Sequence, residues 1–140
     1  MKSVHENKSS VDDIRLRFDN EIERFSNIET GQTSIVDALL VMELIARAAF
    51  KSVSKIENVL DIGCGAGNNT IKLCQYVSPF HCDLVDLSLP MLERAQKRIS
   101  EVNTGNIKIY QGDLRVIDLP KQRYDVILAA AVLHHLRDDQ

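Results

Sequence analysis

A glycine-rich segment, DIGCGAGNNT, occupies residues Asp61–Thr70 and decides the fold class. It directly continues a short apolar run, Asn58–Ile62, which is typical of a buried strand in a parallel sheet. A predicted helix follows from Asn69 to Val77. Glycines between a strand and a helix let the backbone turn sharply and approach a ligand, and the amides at the helix start suit an anion. A tight turn without any ligand is the alternative interpretation.

Further strands and helices alternate after this segment. Apolar runs at His81–Asp86, Ile107–Tyr110 and Tyr124–Leu128 are predicted strands, and Pro90–Val102 is a predicted helix. Strands that alternate with helices indicate a doubly wound, mainly parallel α/β sheet, here of about four strands.

Two helices are predicted before the first strand. From Val11, the apolar residues Ile14, Phe18, Ile22 and Phe25 recur every three or four positions, the period of a helix with one buried face. A second apolar stretch, Ile35–Phe50, favours a longer helix. We therefore divide the chain into a flexible tail at residues 1–10, N-terminal helices at 11–54 and the sheet domain from residue 55 to residue 140.

The composition, 44% hydrophobic and 26% charged over 140 residues, indicates one soluble globular domain. The formal net charge of -3 provides no long-range attraction toward nucleic acid. Cys64, Cys74 and Cys82 lack a C-x-x-C spacing, so we expect reduced thiols. No secretory signal or apolar run of membrane-spanning length is visible, and the expected location is cytoplasmic.

The glycine spacing discriminates between two classes of nucleotide-binding loop. In the dinucleotide fingerprint G-x-G-x-x-G counted from Gly63, the third glycine would fall on Asn68, so the match fails. The segment instead resembles motif I of class I S-adenosylmethionine-dependent methyltransferases, an acidic residue and an apolar one followed by G-x-G-x-G. The matching positions are Asp61, Ile62, Gly63, Gly65 and Gly67.

Two further acidic residues fit the same family. Asp86 begins a segment similar to the family's D-x-S-x-x-M-L, and the resemblance implies that its carboxylate accepts hydrogen bonds from both ribose hydroxyls. Gly112-Asp113 resembles the family's G-D segment, whose aspartate receives the adenine amine. Each has a simpler alternative, because aspartate also caps helices and Gly-Asp is common in turns.

The resemblance extends over residues 58–136, since Tyr124–Leu136 is similar to the family's fourth strand and following loop. It implies a Rossmann-like domain, of which we expect this chain to carry the amino-terminal part, up to the fourth strand, with the N-terminal helices as a lid. It also implies S-adenosylmethionine as the cofactor. The expected cofactor-binding residues are Asp61, Gly63, Cys64, Gly65, Gly67, Asn68, Asp86, Leu87, Met91, Gly112, Asp113, Leu114 and Ala130.

Methyl transfer from a sulfonium needs alignment more than a protein base, and we assign no catalytic residue. No metal is expected, because the adjacent His134 and His135 point to different sides of a helix and lack partner ligands. A nicotinamide-dependent oxidoreductase and a non-catalytic nucleotide-binding module are the alternative functions.

The acceptor is expected to be a small molecule or a tRNA nucleotide. Phe18–Glu21 with Gly31-Gln32 resembles the bacterial enzymes that modify the wobble uridine of tRNA. If the chain is truly this short, the fourth strand has no later strand to pair with, and its apolar edge around Tyr124–Leu133 predicts a homodimer; the alternative is a longer polypeptide whose later strands cover this edge.

Overall fold

The computed structural model of the chain describes residues 9–22, 38–121, 123–130 and 132. In chain order the elements are α1 (Val11–Asn20), α2 (Ala38–Ser52), β1 (Asn58–Ile62), α3 (Asn68–Cys74), β2 (His81–Asp86), α4 (Leu89–Ser100), β3 (Ile107–Gln111) and β4 (Val126–Leu128).

The four strands form one parallel sheet in the order β3-β2-β1-β4. Val59 of β1 lies opposite Cys82 of β2 on one side and Val126 of β4 on the other. The strand order therefore reverses beside β1, and in open α/β sheets such a reversal opens a crevice at the carboxyl ends of the strands. The predicted α/β class and parallel sheet are confirmed.

The core lies on one face of the sheet. Successive side chains of a strand point to opposite faces, and the alternate residues Val59, Cys82, Leu84, Val126 and Leu128 all belong to one buried cluster. The helices contribute the other side of that cluster with Ala49, Leu73, Leu92, Ala95 and Ile99. Helices α2, α3 and α4 thus cover this face.

The opposite face carries a buried carboxylate. Asp83 of β2 is fully buried, and it accepts a hydrogen bond of 2.6 Å from the Tyr124 hydroxyl and lies 3.0 Å from Nε2 of His81. Because β1 separates β2 from β4, the Tyr124 hydrogen bond ties the segment before β4 to a strand that is not its neighbour. On β4 itself, Ile127 exposes 58% of its surface.

The element bounds differ from the predicted ones at a few ends. β4 begins at Val126 rather than at Tyr124. Helix α1 starts as predicted, because the Ser10 hydroxyl accepts from the Asp13 amide at 3.1 Å while the Asp13 carboxylate accepts from the Ser10 amide at 3.2 Å. It ends at Asn20, and the predicted helical positions Phe25 and Ile35 lie outside the described residues.

Candidate cofactor site

A cavity of about 210 Å³ opens at the carboxyl ends of the strands. Its floor comes from the loops that follow β1, β2 and β3, and its roof comes from α1. The lining residues are Ser9, Ser10, Val11, Ile14, Phe18, Gly63, Gly65, Val85, Asp86, Leu87, Gly112, Asp113, Leu114, Arg115 and Val132.

The three glycines after β1 all have positive φ angles, and at two of them an added Cβ would also clash with a neighbouring side chain. A Cβ at Gly63 (φ 62°) would lie 2.5 Å from Cγ2 of Val132, and one at Gly67 (φ 83°) would lie 2.9 Å from Cδ1 of Ile99. A Cβ at Gly65 (φ 52°) would meet no described atom within 4 Å. Gly65 therefore leaves space beside the backbone on the cavity side, where a ligand can approach.

Asp86 connects β2 to the glycine loop. One carboxylate oxygen accepts from the Gly65 amide at 2.9 Å, and the other accepts from the Ser88 amide at 2.9 Å. Burial raises the pKa of Asp86, hydrogen bonds from the Ser88, Gly65 and Leu87 amides lower it, and the negative charge of Asp19 raises it. A carboxylate has about four lone-pair sites, more than these amides occupy, so this oriented carboxylate can still accept a hydrogen bond from a ligand.

Asp61 lies beneath the loop, where it is fully buried and accepts a 2.6 Å hydrogen bond from the Thr70 hydroxyl. Burial raises its pKa to about 7; the Thr70 hydrogen bond lowers the pKa and the charge of Asp86 raises it. Asp61 thus links the end of β1 to the first turn of α3, and it supports the loop from inside the domain.

Helix α4 holds the loop from the opposite side. The Arg98 guanidinium donates to the Ala66 carbonyl oxygen at 2.8 Å and to Oδ1 of Asn68 at 2.7 Å. Since Gly67 also packs against Ile99, two residues of α4 determine where the loop enters α3.

The Asp113 carboxylate is held by Arg115, a residue of the same loop. Nε of Arg115 lies 2.8 Å and 2.9 Å from the two carboxylate oxygens of Asp113, and Nη2 of Arg115 also donates to this carboxylate. The Arg115 hydrogen bond lowers the pKa of Asp113 and burial opposes this shift. The Arg115 amide donates to the same carboxylate at 3.0 Å, so the carboxylate is ionised and held in one orientation.

Helix α1, expected as part of a lid over the cofactor, contributes apolar side chains to the cavity lining. Val11, Ile14 and Phe18 lie on its cavity side, and near its carboxyl end the Asp19 carboxylate accepts a hydrogen bond from the Ser88 hydroxyl. In contrast, no described residue of α2 lines the cavity, and α2 packs on α3, where Lys72 and Glu43 form an ion pair of 2.9 Å.

Seven of the thirteen predicted cofactor residues line the cavity together: Gly63, Gly65, Asp86, Leu87, Gly112, Asp113 and Leu114. The other six lie outside its lining: Asp61, Cys64, Gly67, Asn68, Met91 and Ala130. Cys64 and Met91 are buried, and burial raises the pKa of the Cys64 thiol well above its ordinary value, so this side chain belongs to the core.

The sequence did not single out Arg115, Val132 or the cavity residues of α1 as cofactor contacts. The apolar period of Ile14 and Phe18 was the available signal, since it indicated a face that must be covered. For Arg115 the signal was its separation of two residues from Asp113; Val132 had no comparable local signal.

Within the described ranges, no group of three or more His, Cys, Asp or Glu side chains is arranged to hold a metal ion. His134 and His135 lie outside these ranges. In the same part of the chain, no helix combines the length and apolar character that crossing a membrane requires.

Residues 59–140 match the family described as the methyltransferase domain. The chain is 32% identical over 80 residues to an uncharacterized methyltransferase of Mycobacterium bovis, covering 57% of this chain and 38% of that protein. It is 41% identical over 81 residues to a malonyl-[acyl-carrier protein] O-methyltransferase of Halalkalibacterium halodurans, covering 56% of this chain and 29% of that protein. The chain thus spans well under half the length of these two curated relatives.

The fold also resembles a solved structure. Magnesium protoporphyrin IX methyltransferase from Synechocystis, crystallised with bound S-adenosylhomocysteine (SAH), superposes with a TM-score of 0.66 at 23% identity, covering 90% of this chain and 60% of that one. At this identity the similarity concerns the fold.

Proposed function

Because this chain belongs to the methyltransferase domain family, whose cofactor is S-adenosylmethionine, we propose that it binds this cofactor in the cavity above β1 and β2 and presents its methyl group to an acceptor. The observation that carries the proposal is the geometry of Asp86. Asp86 lies in the cavity lining, and hydrogen bonds from the Gly65 and Ser88 amides orient its carboxylate.

The ribose is the part of the cofactor that Asp86 suits. A vicinal diol offers two hydroxyl donors, and a carboxylate has two acceptor oxygens that can face it. Because the Gly65 and Ser88 amides already fix the carboxylate plane, little side-chain entropy remains to be lost on binding.

The adenine is proposed to lie between Leu87 and Leu114, with its exocyclic amine near Asp113. All three residues line the same cavity. Apolar side chains suit the faces of the base, and an ionised carboxylate suits an amine donor. The bidentate contact with Arg115 keeps the Asp113 carboxylate in one orientation.

The methionine portion is proposed to follow the glycine loop past Gly63 and Gly65. The absence of a side chain at Gly65 supports this path, because a Cβ there would meet open space among the described atoms. S-adenosylmethionine supplies a methyl group already activated on a sulfonium, so the protein's task is to align the acceptor and to exclude water.

The acceptor is proposed to be a small molecule or a tRNA nucleotide that enters the cavity from the side of α1 and Val132. The apolar side chains Val11, Ile14 and Phe18 favour an uncharged or partly apolar group at this side. The net charge of -3 adds no general attraction for tRNA, so a tRNA acceptor would need local contacts.

Isothermal titration of the full chain tests the cofactor. S-adenosylmethionine and SAH should both bind with measurable heat, whereas nicotinamide adenine dinucleotide should not. A chain that binds the dinucleotide and neither of the other two ligands would support the oxidoreductase alternative. Transfer of a labelled methyl group to pooled small molecules or to tRNA then distinguishes an enzyme from a non-catalytic binding module.

Self-association through β4 is proposed as the second property of this chain. In the described part of the sheet, β4 is an edge strand that pairs with β1 alone, and its Ile127 is exposed. Edge strands of this kind pair readily with a second copy.

A further inference from the structure

We propose that Asp19 is a positioning residue that holds α1 over the cofactor cavity through Ser88. This inference rests on the proposed function, and it adds a residue that neither the motifs nor the family match assigns. Asp19 and Ser88 are 69 positions apart in sequence, so only the fold brings them together.

The packing of α1 makes such an anchor necessary. All ten residues of α1 are described, and none of them is buried. Its apolar side chains Val11, Ile14 and Phe18 line the cavity, so they gain full burial only when a ligand fills that space. A polar contact with the body of the domain therefore adds to the partial apolar burial that holds α1 in place.

Ser88 is well placed to act as the fixed end of this contact. It is fully buried, its amide donates to Asp86 at 2.9 Å and its hydroxyl oxygen accepts from the Met91 amide at 3.3 Å. The hydroxyl donates its single proton to the Asp19 carboxylate. If α1 moved away, this buried hydroxyl would lose its acceptor, which opposes the movement.

The same contact connects α1 to the residue proposed to bind ribose. Asp19 and Asp86 both bond to Ser88, one through its hydroxyl and one through its amide. The position of α1 and the geometry of the Asp86 loop are therefore coupled. By reciprocity, a ligand that fills the cavity stabilises α1, and an anchored α1 strengthens the binding of that ligand.

The experiment measures S-adenosylmethionine affinity and dissociation rate for the full chain and its variants. Asp19→Ala should weaken binding about tenfold, mainly through faster dissociation, because a half-buried charged hydrogen bond is lost. Asp19→Asn should stay within about twofold of the original, since the amide oxygen can still accept from Ser88. Ser88→Ala should resemble Asp19→Ala, and the double variant should be no weaker than the worse single one.

Asp12→Asn is the matched control. Asp12 lies on the same helix and its side chain is 82% exposed, facing Arg15 at 3.5 Å. The Asp12→Asn substitution removes one negative charge from α1 and leaves the contact with Ser88 intact. The affinity of this variant for S-adenosylmethionine should therefore match that of the unsubstituted chain. Equal weakening by Asp12→Asn and Asp19→Ala would mean that charge or helix stability, and not the anchor, is responsible.

Hydrogen exchange provides a second, independent measurement. SAH should slow the exchange of the α1 amides in the unsubstituted chain, and Asp19→Ala should speed it in the absence of ligand. If the original chain binds S-adenosylmethionine while Asp19→Ala binds equally well, or if SAH leaves α1 exchange unchanged, the anchor is overturned. If the original chain does not bind the cofactor at all, the proposed function fails instead.

Discussion

The Gly65 amide donates a 2.9 Å hydrogen bond to the carboxylate of Asp86, and this contact joins two loops that are 21 positions apart in sequence. Gly65 follows β1 and Asp86 ends β2, and the parallel pairing of these strands brings the two loops side by side at the sheet's carboxyl edge. The conformation of the glycine loop therefore depends on the same carboxylate that is proposed to bind the ribose.

Replacement of Asp86 should reduce cofactor binding. Asp86→Ala removes the acceptor for the ribose hydroxyls and is expected to weaken S-adenosylmethionine binding by about 1 to 3 kcal/mol, measured by titration calorimetry. Asp118→Ala is the control, because Asp118 is exposed and lies outside the cavity lining. Unchanged affinity in Asp86→Ala would remove Asp86 from the site.

Two glycines of the loop should respond differently to substitution. Gly65→Val places its side chain toward the cavity and should abolish detectable cofactor binding. Gly67→Ala instead meets Ile99 at 2.9 Å and Ala95 at 3.2 Å, so its main effect should be a loss of about 2 to 4 kcal/mol in the free energy of unfolding. Chemical denaturation and calorimetry on both variants separate the effects. Full binding by Gly65→Val would mean that the loop is only a turn.

The adenine contact predicts that Asp113→Asn weakens S-adenosylmethionine binding by about 1 to 2 kcal/mol, because an amide oxygen carries no charge. The inosine analogue of SAH replaces the adenine amine by a carbonyl, so it should bind the original chain more weakly than SAH does. In Asp113→Asn this difference should shrink. If the unsubstituted chain binds SAH and its inosine analogue equally well, Asp113 does not recognise the adenine amine.

The buried Asp61 predicts a pH-dependent stability. Its pKa is about 7 in the folded chain against an ordinary value of 3.8, so between these values the unfolded chain binds fewer protons. The free energy of unfolding should therefore fall, relative to that of Asp61→Asn, by about 2 to 4 kcal/mol as pH rises from about 4 to about 7. Urea denaturation of both proteins across this range provides the measurement. A constant difference would show that Asp61 is ionised throughout.

The edge strand predicts that the chain forms dimers, which multi-angle light scattering can detect. Ile127→Lys places a charge on β4 and should shift the chain toward monomer. Val116→Lys is the control, since Val116 is even more exposed, at 82%, and lies outside the sheet. A well-folded monomer at all concentrations of the unsubstituted chain contradicts the dimer.

The sequence by itself determined the parallel α/β architecture and the order of its elements. It predicted these correctly because apolar periodicity and glycine clusters are local signals, and β1, β2 and α4 begin and end close to their predicted limits. The order of the strands in the sheet was not predicted and comes from the structure. The family resemblance did single out Asp86 and Asp113 after the second and third strands. Both line one cavity in the structure.

Only the tertiary structure decided how the site is held together. The Arg98 contact with Asn68 joins residues 30 positions apart, the Tyr124 contact with Asp83 joins residues 41 positions apart, and Asp19 meets Ser88 across 69. No local pattern encodes such pairs, because each depends on the distance and orientation that packing sets between separate elements. The motifs identify the loops that approach a ligand, while the long-range hydrogen bonds fix where those loops lie and which helix covers them.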